Sequence, residues 1–275
     1  MIVFPNCKIN LGLRVLRKRS DGYHDLETVF YPLPLYDALE LLPTQDDQFS
    51  FSQTGLTVTN NTADNLCVKA WELLKKDFPG LPGARLHLHK AIPAGAGLGG
   101  GSADAAFTLQ LLNKRFGLAL TQETLIRYAL QLGSDCPFFI INQPCFATSR
   151  GEELSPVQLD LQAYRFVLVN PGIMIPTGKA FAGILPAVPG KTVADIIRQP
   201  VDTWRTELVN DFETTVFEQY PDIGAIRQQL YDRGAIYASL SGTGSTVYGL
   251  FPRESVADLA FPGTYLVRQL ASQLQ

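Results

Sequence analysis

The feature that most constrains this chain is a glycine-rich stretch directly before a helical pattern. Residues 93–106 read PAGAGLGGGSADAA, and five of the seven positions from 95 to 101 are glycine. Each glycine costs about 0.5–1 kcal/mol of folding free energy relative to alanine, because it loses more conformational freedom. Backbone N–H groups at the start of a helix attract anions. The stretch therefore predicts a loop that binds the phosphate groups of a nucleotide.

The sequence on either side of this loop predicts a strand before it and a helix after it. Residues 84–92, ARLHLHKAI, alternate between apolar and polar side chains, as a half-buried strand does. Strand, glycine loop and helix in this order are what an anion site at a helix start requires. Gly117 ends the predicted helix, whose apolar face consists of Ala105, Leu109, Leu112 and Phe116.

The beginning of the chain predicts a hairpin. Residues 8–16 alternate as a strand, which places Lys8 and Asn10 on the same face. An Asp-Gly pair at 21–22 predicts the turn into the next strand. The exposed tip of the hairpin then carries Tyr23 and His24.

Further elements follow the hairpin and the loop. A strand is predicted near 38–42, and Asp64 or Asn65 can cap a helix that runs to Phe78. Residues 122–132 predict a helix that stops at Gly133. The apolar run CPFFII predicts a strand, so that Asp135 lies at the end of an element. Later residues predict a strand at 166–169 and helices at 203–220 and 223–233.

Composition excludes several classes of protein. With 275 residues, 46% hydrophobic and 18% charged, the chain can form one large or two medium globular domains. A net charge of −3 argues against a nucleic-acid partner. The apolar runs are too short to span a bilayer, and the N-terminus resembles neither a secretory signal nor a transit peptide, so we expect a cytoplasmic protein. Four cysteines without metal-site spacing are expected to be reduced thiols.

Three patterns of phosphate-binding loop compete for the glycine stretch. Gly95, Gly97 and Gly100 satisfy GxGxxG, but a dinucleotide fold needs a strand after the helix and an acidic residue about 20 positions on. A second helix is predicted there instead. The Walker pattern GxxxxGK[ST] fits from Gly95 to Ser102 except that Gly101 replaces the lysine. The positive charge beside the phosphates must then come from elsewhere in the chain.

The third pattern, PxxxGLGGGSSDAA, matches closely. On this loop the chain resembles the GHMP kinases, the superfamily of galactokinase, homoserine kinase, mevalonate kinase and phosphomevalonate kinase. The stretches NCKINLGL, SDGYHDLETVF, GSDCPFF, NPGIMIPT and SLSGTGSTVYG extend the likeness over nearly the whole length. They resemble the members of the superfamily that act on a cytidyl diphosphate derivative of methylerythritol in the non-mevalonate isoprenoid pathway. One departure is Ala103, where a second serine is more usual, which leaves the metal ligands open.

The resemblance implies an α+β fold with two domains. Residues 1–150 would form an N-terminal ATP-binding domain with the glycine-rich loop. Residues 151–275 would form a C-terminal, ferredoxin-like, substrate-binding domain, with the active site in the cleft between the two. The implied reaction is phosphorylation of the 2-hydroxyl of the methylerythritol moiety by ATP with Mg²⁺, with a small-molecule cytidyl diphosphate as substrate and no nucleic acid or membrane as partner.

The resemblance also implies roles for particular residues. Asp135 would be the general base and Lys8 the cation beside it. Asn10, Tyr23, His24 and Phe181 would bind the substrate, with the aromatic rings against the cytosine. ATP would be bound by Asn65, Pro93, Ala94, Gly95, Ala96, Gly97, Leu98, Gly99, Gly100, Gly101, Ser102 and Ala103.

Local sequence alone allows other interpretations. Asp135 after Gly-Ser is typical of a turn or cap, Lys8 of an exposed strand lysine, Asn65 of a helix cap and Phe181 of a core residue. Asp104 either points away from a bound phosphate or faces a cation. A kinase acting on mevalonate, phosphomevalonate or homoserine, a catalytically silent nucleotide-binding regulator, and an NAD-dependent oxidoreductase remain as alternative functions.

Overall fold

The structure is a computed structural model that describes residues 1–56, 62–255 and 259–272. The strands in this part of the chain are β1 (Ile2–Val3), β2 (Asn6–Lys18), β3 (His24–Tyr36), β4 (Ala38–Pro43), β5 (Phe49–Gly55), β6 (Ala84–Lys90), β7 (Cys145–Thr148), β8 (Glu153–Pro156), β9 (Tyr164–Asn170), β10 (Tyr237–Leu240), β11 (Val247–Pro252) and β12 (Leu266–Ala271). The α-helices are α1 (Leu66–Asp77), α2 (Gly100–Phe116), α3 (Gln122–Leu132), α4 (Cys136–Ile141), α5 (Thr177–Ala182), α6 (Val193–Ile196), α7 (Trp204–Glu207), α8 (Phe212–Gln219) and α9 (Pro221–Asp232). The α+β class is confirmed.

The chain forms two compact units built from interleaved segments. The first unit comprises Met1–Cys7, Leu35–Ala94 and Gly99–Gln143. The second comprises Lys8–Pro34, Gly95–Leu98 and Pro144–Gln275. The division at residue 150 stays a prediction about domains. All segments of the first unit lie before residue 150, whereas the second unit has segments on both sides of it.

The described residues of the first unit combine a sheet with the helices α1 to α4. Its strands lie in the order β1-β4-β6-β5, with β5 and β6 parallel and the other pairs antiparallel. Helix α1 packs against α2 and α3, and α2 packs against α4 and β4. The alternation in β4 and β6 buries Leu39, Leu41, Leu86 and Leu88, each at most 1% exposed.

The described part of the second unit contains most of the sheet β2-β3-β7-β8 and the sheet β10-β11-β9-β12. All pairings in the latter sheet are antiparallel. Helices α8 and α9 pack against each other, and both pack against β10. Strand β2 also meets residue Asn210 through a parallel bridge at Leu13. Leu13 and Val15 thereby join the apolar core formed by the sheet β10-β11-β9-β12 and helices α8 and α9.

The predicted strand at 136–141 is wrong, because these residues form helix α4. Periodicity cannot separate a short buried helix from a buried strand, since both read as continuous apolar sequence. Pro137 lies in the first turn of α4, where its missing N–H costs nothing, whereas a proline inside a sheet removes a ladder bond. Residues 136–140 are all buried, so no alternation is visible.

The other elements agree with the sequence except in the predicted helices near 203–220. Helix α1 begins after the N-cap Asn65, and α2 ends at Gly117, which has a φ of +63°. The segment expected near 203–220 is interrupted between α7 and α8. The interruption contains Asn210, which bridges to β2 there.

Candidate active site

The glycine loop has a backbone that only glycine adopts readily. Gly95, Gly97 and Gly99 have φ values of +64°, +78° and +68°. A Cβ atom on Gly97 would lie 1.9 Å from the carbonyl oxygen of Ser241. No side chain fits in that space, so position 97 requires glycine for both its φ and its packing.

The loop carbonyl groups are fixed by partners within the second unit. Ser241 Oγ donates to the carbonyl of Gly97 at 2.8 Å. The N–H of Thr246 donates to Ala96 at 3.2 Å, and the N–H of Lys8 donates to Leu98 at 2.9 Å. Three successive carbonyl groups are therefore held in place by the protein itself.

Helix α2 starts directly after this segment. Gly99 is its N-cap and has no side chain that could cap the helix. The first backbone hydrogen bond of α2 runs from the N–H of Ala103 to the carbonyl of Gly99 at 2.9 Å. The amides of residues 100–102 have no intrahelical acceptor by the geometry of a helix start. Together with the helix dipole, they suit an anion. Gly101 is exposed and Ser102 half-buried.

The remaining loop residues differ in exposure. Ala94 and Gly95 are exposed, Pro93, Gly97 and Gly99 are half-buried, and Ala96, Leu98, Gly100 and Ala103 are buried. Asn65 is half-buried, and its Oδ1 accepts the N–H of Cys67 at 2.9 Å, which confirms the predicted cap. Its predicted contact with ATP stays a prediction.

Lys8 and Asn10 lie side by side on β2, as the alternation predicted. The Nζ of Lys8 donates to Asn10 Oδ1 at 2.7 Å, and the lysine is 3% exposed. The ammonium group also lies 4.7 Å from the ring centroid of Phe30. The interpretation of Lys8 as a solvent-exposed strand residue is therefore wrong.

Asn10 has a complete set of further partners within the second unit. Its Nδ2 donates to Thr28 Oγ1 at 3.1 Å, and its backbone N–H donates to Ser241 Oγ at 3.2 Å. The hydroxyl of Tyr248 donates to the Asn10 carbonyl at 2.7 Å. These bonds fix the orientation in which Asn10 presents its Oδ1 to Lys8.

Asp135 occupies the N-cap position of α4. Its backbone is αR, its side chain makes no capping bond to the helix, and it is half-buried. Helix α4 packs against α2, and the hydroxyl of Ser102 lies near the thiol of Cys136, which places Asp135 beside the start of α2. Burial raises the pKa of the Cys136 thiol to about 12, which keeps it protonated and unsuited to act as a nucleophile.

An aromatic group surrounds the hairpin tip. Tyr23 is 56% exposed, and the Arg150 guanidinium carbon lies 5.1 Å from the centroid of its ring. His24 stacks on Phe181 with centroids 4.8 Å apart and an interplanar angle of 18°. Phe181 also meets Phe212 edge-on at 4.8 Å, so it is partly a core residue and partly a partner of His24. The structure thus brings together two of the predicted base-binding residues.

A buried charged cluster near the loop was not predicted as a unit. Lys90 Nζ donates to Asp37 and to Asp104, the latter at 2.7 Å. Asp37 Oδ1 also accepts the N–H groups of Ala91 and Ile92, at 2.6 and 2.8 Å. The cluster therefore joins the end of β6 to the first turns of α2. The hypothesis that Asp104 faces a cation is confirmed, and that cation is Lys90.

The cluster contains one carboxyl group more than it has lysines. Burial raises the pKa of the Asp104 carboxyl to about 7, although Lys90 acts in the opposite direction. Burial alone would lower the pKa of Lys90, but the attraction of Asp104 and Asp37 outweighs it and raises that pKa. Asp104 Oδ1 is buried and has no hydrogen-bond partner in the described part of the chain. A proton on Asp104 relieves the excess negative charge.

Comparison with known proteins gives two family matches. The model of the GHMP kinases N terminal domain matches residues 65–143, and that of the GHMP kinases C terminal domain matches residues 193–261. The chain is 51% identical over 268 residues to 4-diphosphocytidyl-2-C-methyl-D-erythritol kinase of Bacteroides fragilis, covering 96% of this chain and 97% of the relative. It is 52% identical over 256 residues to the kinase of the same name from Bacteroides thetaiotaomicron, covering 92% and 93%.

Solved structures give the same picture. A crystal structure of 4-(cytidine 5'-diphospho)-2C-methyl-D-erythritol kinase aligns with a TM-score of 0.80 and 28% identity, covering 98% of this chain and 99% of that one. The mevalonate kinase of Methanococcus jannaschii aligns with a TM-score of 0.71 at 14% identity, covering 98% of both chains, which shows a common fold.

Proposed function

Because the chain belongs to the GHMP kinases, and among them to the 4-diphosphocytidyl-2-C-methyl-D-erythritol kinases, we propose that it transfers the γ-phosphoryl group of ATP to the 2-hydroxyl of 4-diphosphocytidyl-2-C-methyl-D-erythritol. The products are the 2-phosphate and ADP, and the reaction belongs to the non-mevalonate route to isoprenoid precursors. The observation that carries this function is 51% identity over 96% of the chain. A likeness at 14% identity to mevalonate kinase supports the fold alone.

In this proposal the glycine loop holds the triphosphate. The left-handed backbone at Gly95, Gly97 and Gly99 brings the chain close to the phosphates without side chains. The amides at the start of α2 then stabilise the negative charge. Asn65 and residues 93–103 are the proposed ATP-binding residues.

Asp135 and Lys8 are the proposed catalytic residues. The substrate oxygen forms a bond to the γ-phosphorus while the bond from that phosphorus to the β–γ bridging oxygen breaks, and ADP leaves. Asp135 would take the proton of the attacking hydroxyl as general base. Lys8 would stabilise the charge on the transferring group. The location of Asp135 beside the start of α2 supports its role, and the bond from Lys8 to Asn10 supports a fixed lysine.

The hairpin tip is the proposed site for the cytidyl end. A nucleobase stacked on an aromatic ring gains about 1–3 kcal/mol. Tyr23 offers an exposed ring, and His24 and Phe181 already form a stack beside it. Asn10 is proposed to contact the substrate near Lys8.

Mg²⁺ is proposed to accompany the triphosphate. Magnesium usually binds through one or two side chains together with substrate phosphates, not in a cage made by protein alone. Across residues 1–56, 62–255 and 259–272, no group of three or more His, Cys, Asp or Glu could hold a metal. An ion that enters with ATP would neutralise phosphate charge. The Ser102 hydroxyl is the loop's candidate ligand.

The cellular compartment of the protein and its partner molecule are also proposals. None of the helices described is long and apolar enough to cross a membrane. Cys7, Cys67, Cys136 and Cys145 are buried thiols that form no disulfide with one another, as is usual in a reducing cytoplasm, where we place this enzyme. Its partner is the small-molecule cytidyl diphosphate substrate.

The direct test is ADP release from ATP and Mg²⁺ with a panel of acceptors. The panel contains 4-diphosphocytidyl-2-C-methyl-D-erythritol, its analogue without the cytidyl group, mevalonate and homoserine. Turnover with the cytidyl compound alone is the expected result. Turnover with mevalonate or homoserine would show that the proposed acceptor is wrong. Binding of ATP without any turnover would indicate a catalytically silent regulator.

A further inference from the structure

We propose that Asn210 is a positioning residue for the nucleotide loop, acting through the glycine segment 240–246. This inference rests on the proposed function, because it gives the segment a role in ATP binding. Asn210 lies outside every stretch that carried the resemblance, between helices α7 and α8. It is 1% exposed.

The side chain of Asn210 connects two carbonyl groups of the segment. Its Nδ2 donates to the carbonyl of Leu240 at 2.8 Å and to that of Gly242 at 2.9 Å. Its Oδ1 accepts the N–H of Phe212 at 3.0 Å, which fixes which end of the amide faces the segment. Both carbonyls flank Ser241, so the amide determines where residue 241 lies.

Ser241 in turn contacts two residues of the proposed site. Its Oγ donates to Gly97 O at 2.8 Å and accepts the N–H of Asn10 at 3.2 Å. Its carbonyl oxygen lies so close to Gly97 that a Cβ there would be only 1.9 Å away. A displacement of Ser241 would therefore move Gly97 directly.

The backbone of Asn210 is itself anchored to β2. The N–H of Leu13 donates to Val209 O, and the N–H of Asp211 donates to Leu13 O, both at 2.9 Å. Asp211 Oδ2 accepts the N–H of Val15 at 2.8 Å. The residues between α7 and α8 thus hold the Asn210 side chain in place, and this side chain connects β2 to the segment 240–246 that supports the loop.

Gly97 should depend on this link more than Asn10 does. Asn10 is also held by Thr28 and Tyr248, which do not involve the segment. Gly97 has Ser241 on both its carbonyl and its Cα side. Loss of the Asn210 amide should therefore weaken ATP more than the cytidyl substrate.

The test compares Asn210→Asp with Asn113→Asp in the full chain. Aspartate keeps the acceptor for Phe212 but directs a carboxylate oxygen at two carbonyls. Asn113 is a matched control, since its Nδ2 also donates to a carbonyl, that of Leu120 at 3.1 Å, and its Oδ1 accepts that residue's N–H at 2.9 Å. We would measure Kd for a non-hydrolysable ATP analogue by calorimetry, both KM values, kcat and Tm.

Asn210→Asp should raise the Kd and the KM for ATP about tenfold or more, with a smaller change in the KM for the cytidyl substrate. Asn113→Asp should lower Tm about as much as Asn210→Asp does, but should leave both KM values unchanged. Unchanged nucleotide binding, or an equal loss for both substrates, would overturn the inference.

A second variant covers the case in which Asn210→Asp does not fold. Ser241→Ala removes the hydroxyl that donates to Gly97 and accepts the N–H of Asn10, without adding a charge. It should weaken the ATP analogue with a smaller loss of Tm than Asn210→Asp causes. An unchanged Kd in Ser241→Ala would overturn the inference. The calorimetric Kd requires no turnover, so an inactive wild-type protein would refute the proposed function and still leave Asn210 tested.

Discussion

The imidazole of His24 and the ring of Phe181 lie stacked, with centroids 4.8 Å apart and nearly parallel planes. One ring belongs to the start of β3 and the other to α5. The edge-on contact of Phe181 with Phe212 fixes the stack against the core of the second unit. The hairpin tip is therefore supported by a residue far from it in sequence.

This stack predicts a selective effect of Phe181→Leu. Loss of the ring should raise the KM for the cytidyl substrate about 5- to 150-fold, since aromatic stacking on a base is worth about 1–3 kcal/mol. The KM for ATP should change little. Phe217→Leu is the control, because Phe217 is also half-buried in the same unit and packs under Arg227 instead. Steady-state kinetics with each substrate varied in turn would decide. Equal increases in both KM values would mean that Phe181 is only a core residue.

Asp135→Asn should separate chemistry from binding. Removal of a general base should lower kcat about 10²- to 10⁴-fold, while the Kd for ATP stays nearly the same. Asp202, an exposed aspartate, supplies the control Asp202→Asn, which should behave as wild type. Rapid-quench single-turnover rates and calorimetric binding are the measurements. Near-normal turnover by Asp135→Asn would refute the assignment.

Gly97→Ala should abolish nucleotide binding. The methyl group would meet the Ser241 carbonyl, and the φ of +78° is itself unfavourable for alanine. We expect the Kd for an ATP analogue to rise at least about 100-fold. Gly80→Ala is a suitable control because an added Cβ meets nothing within 4 Å there. If Gly97→Ala bound the analogue like wild type, the loop conformation described above would be wrong.

The pKa of Asp104 predicts how stability changes with pH. The carboxyl keeps its proton in the folded protein up to about pH 7, whereas in the unfolded chain it ionises near 3.8. Between these values unfolding releases a proton, so stability should fall as pH rises, by at most about 1.4 kcal/mol per pH unit.

Asp104→Asn removes this titration. Urea unfolding of both proteins at pH 5, 6, 7 and 8 should show the wild type losing stability relative to the variant from pH 5 to 7, and a constant difference above that. Titrating groups outside the cluster of Lys90, Asp37 and Asp104 cancel in the comparison. Parallel curves over the whole range would contradict a raised pKa at Asp104.

Local signals predicted the elements that depend on local chemistry. Asn65 caps α1 because an asparagine side chain satisfies a helix-start amide, and Gly117 ends α2 because glycine accepts a positive φ. Lys8 and Asn10 share a face because a strand has a period of two. Periodicity failed in α4 because residues 136–140 are all buried and therefore show no alternation.

Long-range pairings could not be predicted in this way. Lys90 and Asp37 are 53 residues apart, and nothing near either residue indicates its partner. Asn210 is likewise a plain polar residue until the fold brings Leu240 and Gly242 to it. The roles of Lys8 and Asp135 came from the resemblance, and they stay predictions until variants are measured.

The interleaving of the two units affects how the chain can fold during synthesis. Every segment of the first unit has left the ribosome once residue 143 has emerged, so that unit can be completed early. Strand β2 belongs mainly to the second unit and waits for partners near residues 210 and 241–248. Until then Leu13 and Val15 lack most of their final core. Exposed apolar strands of this kind invite misassembly, and the period between the two completions is when a chaperone would be most useful.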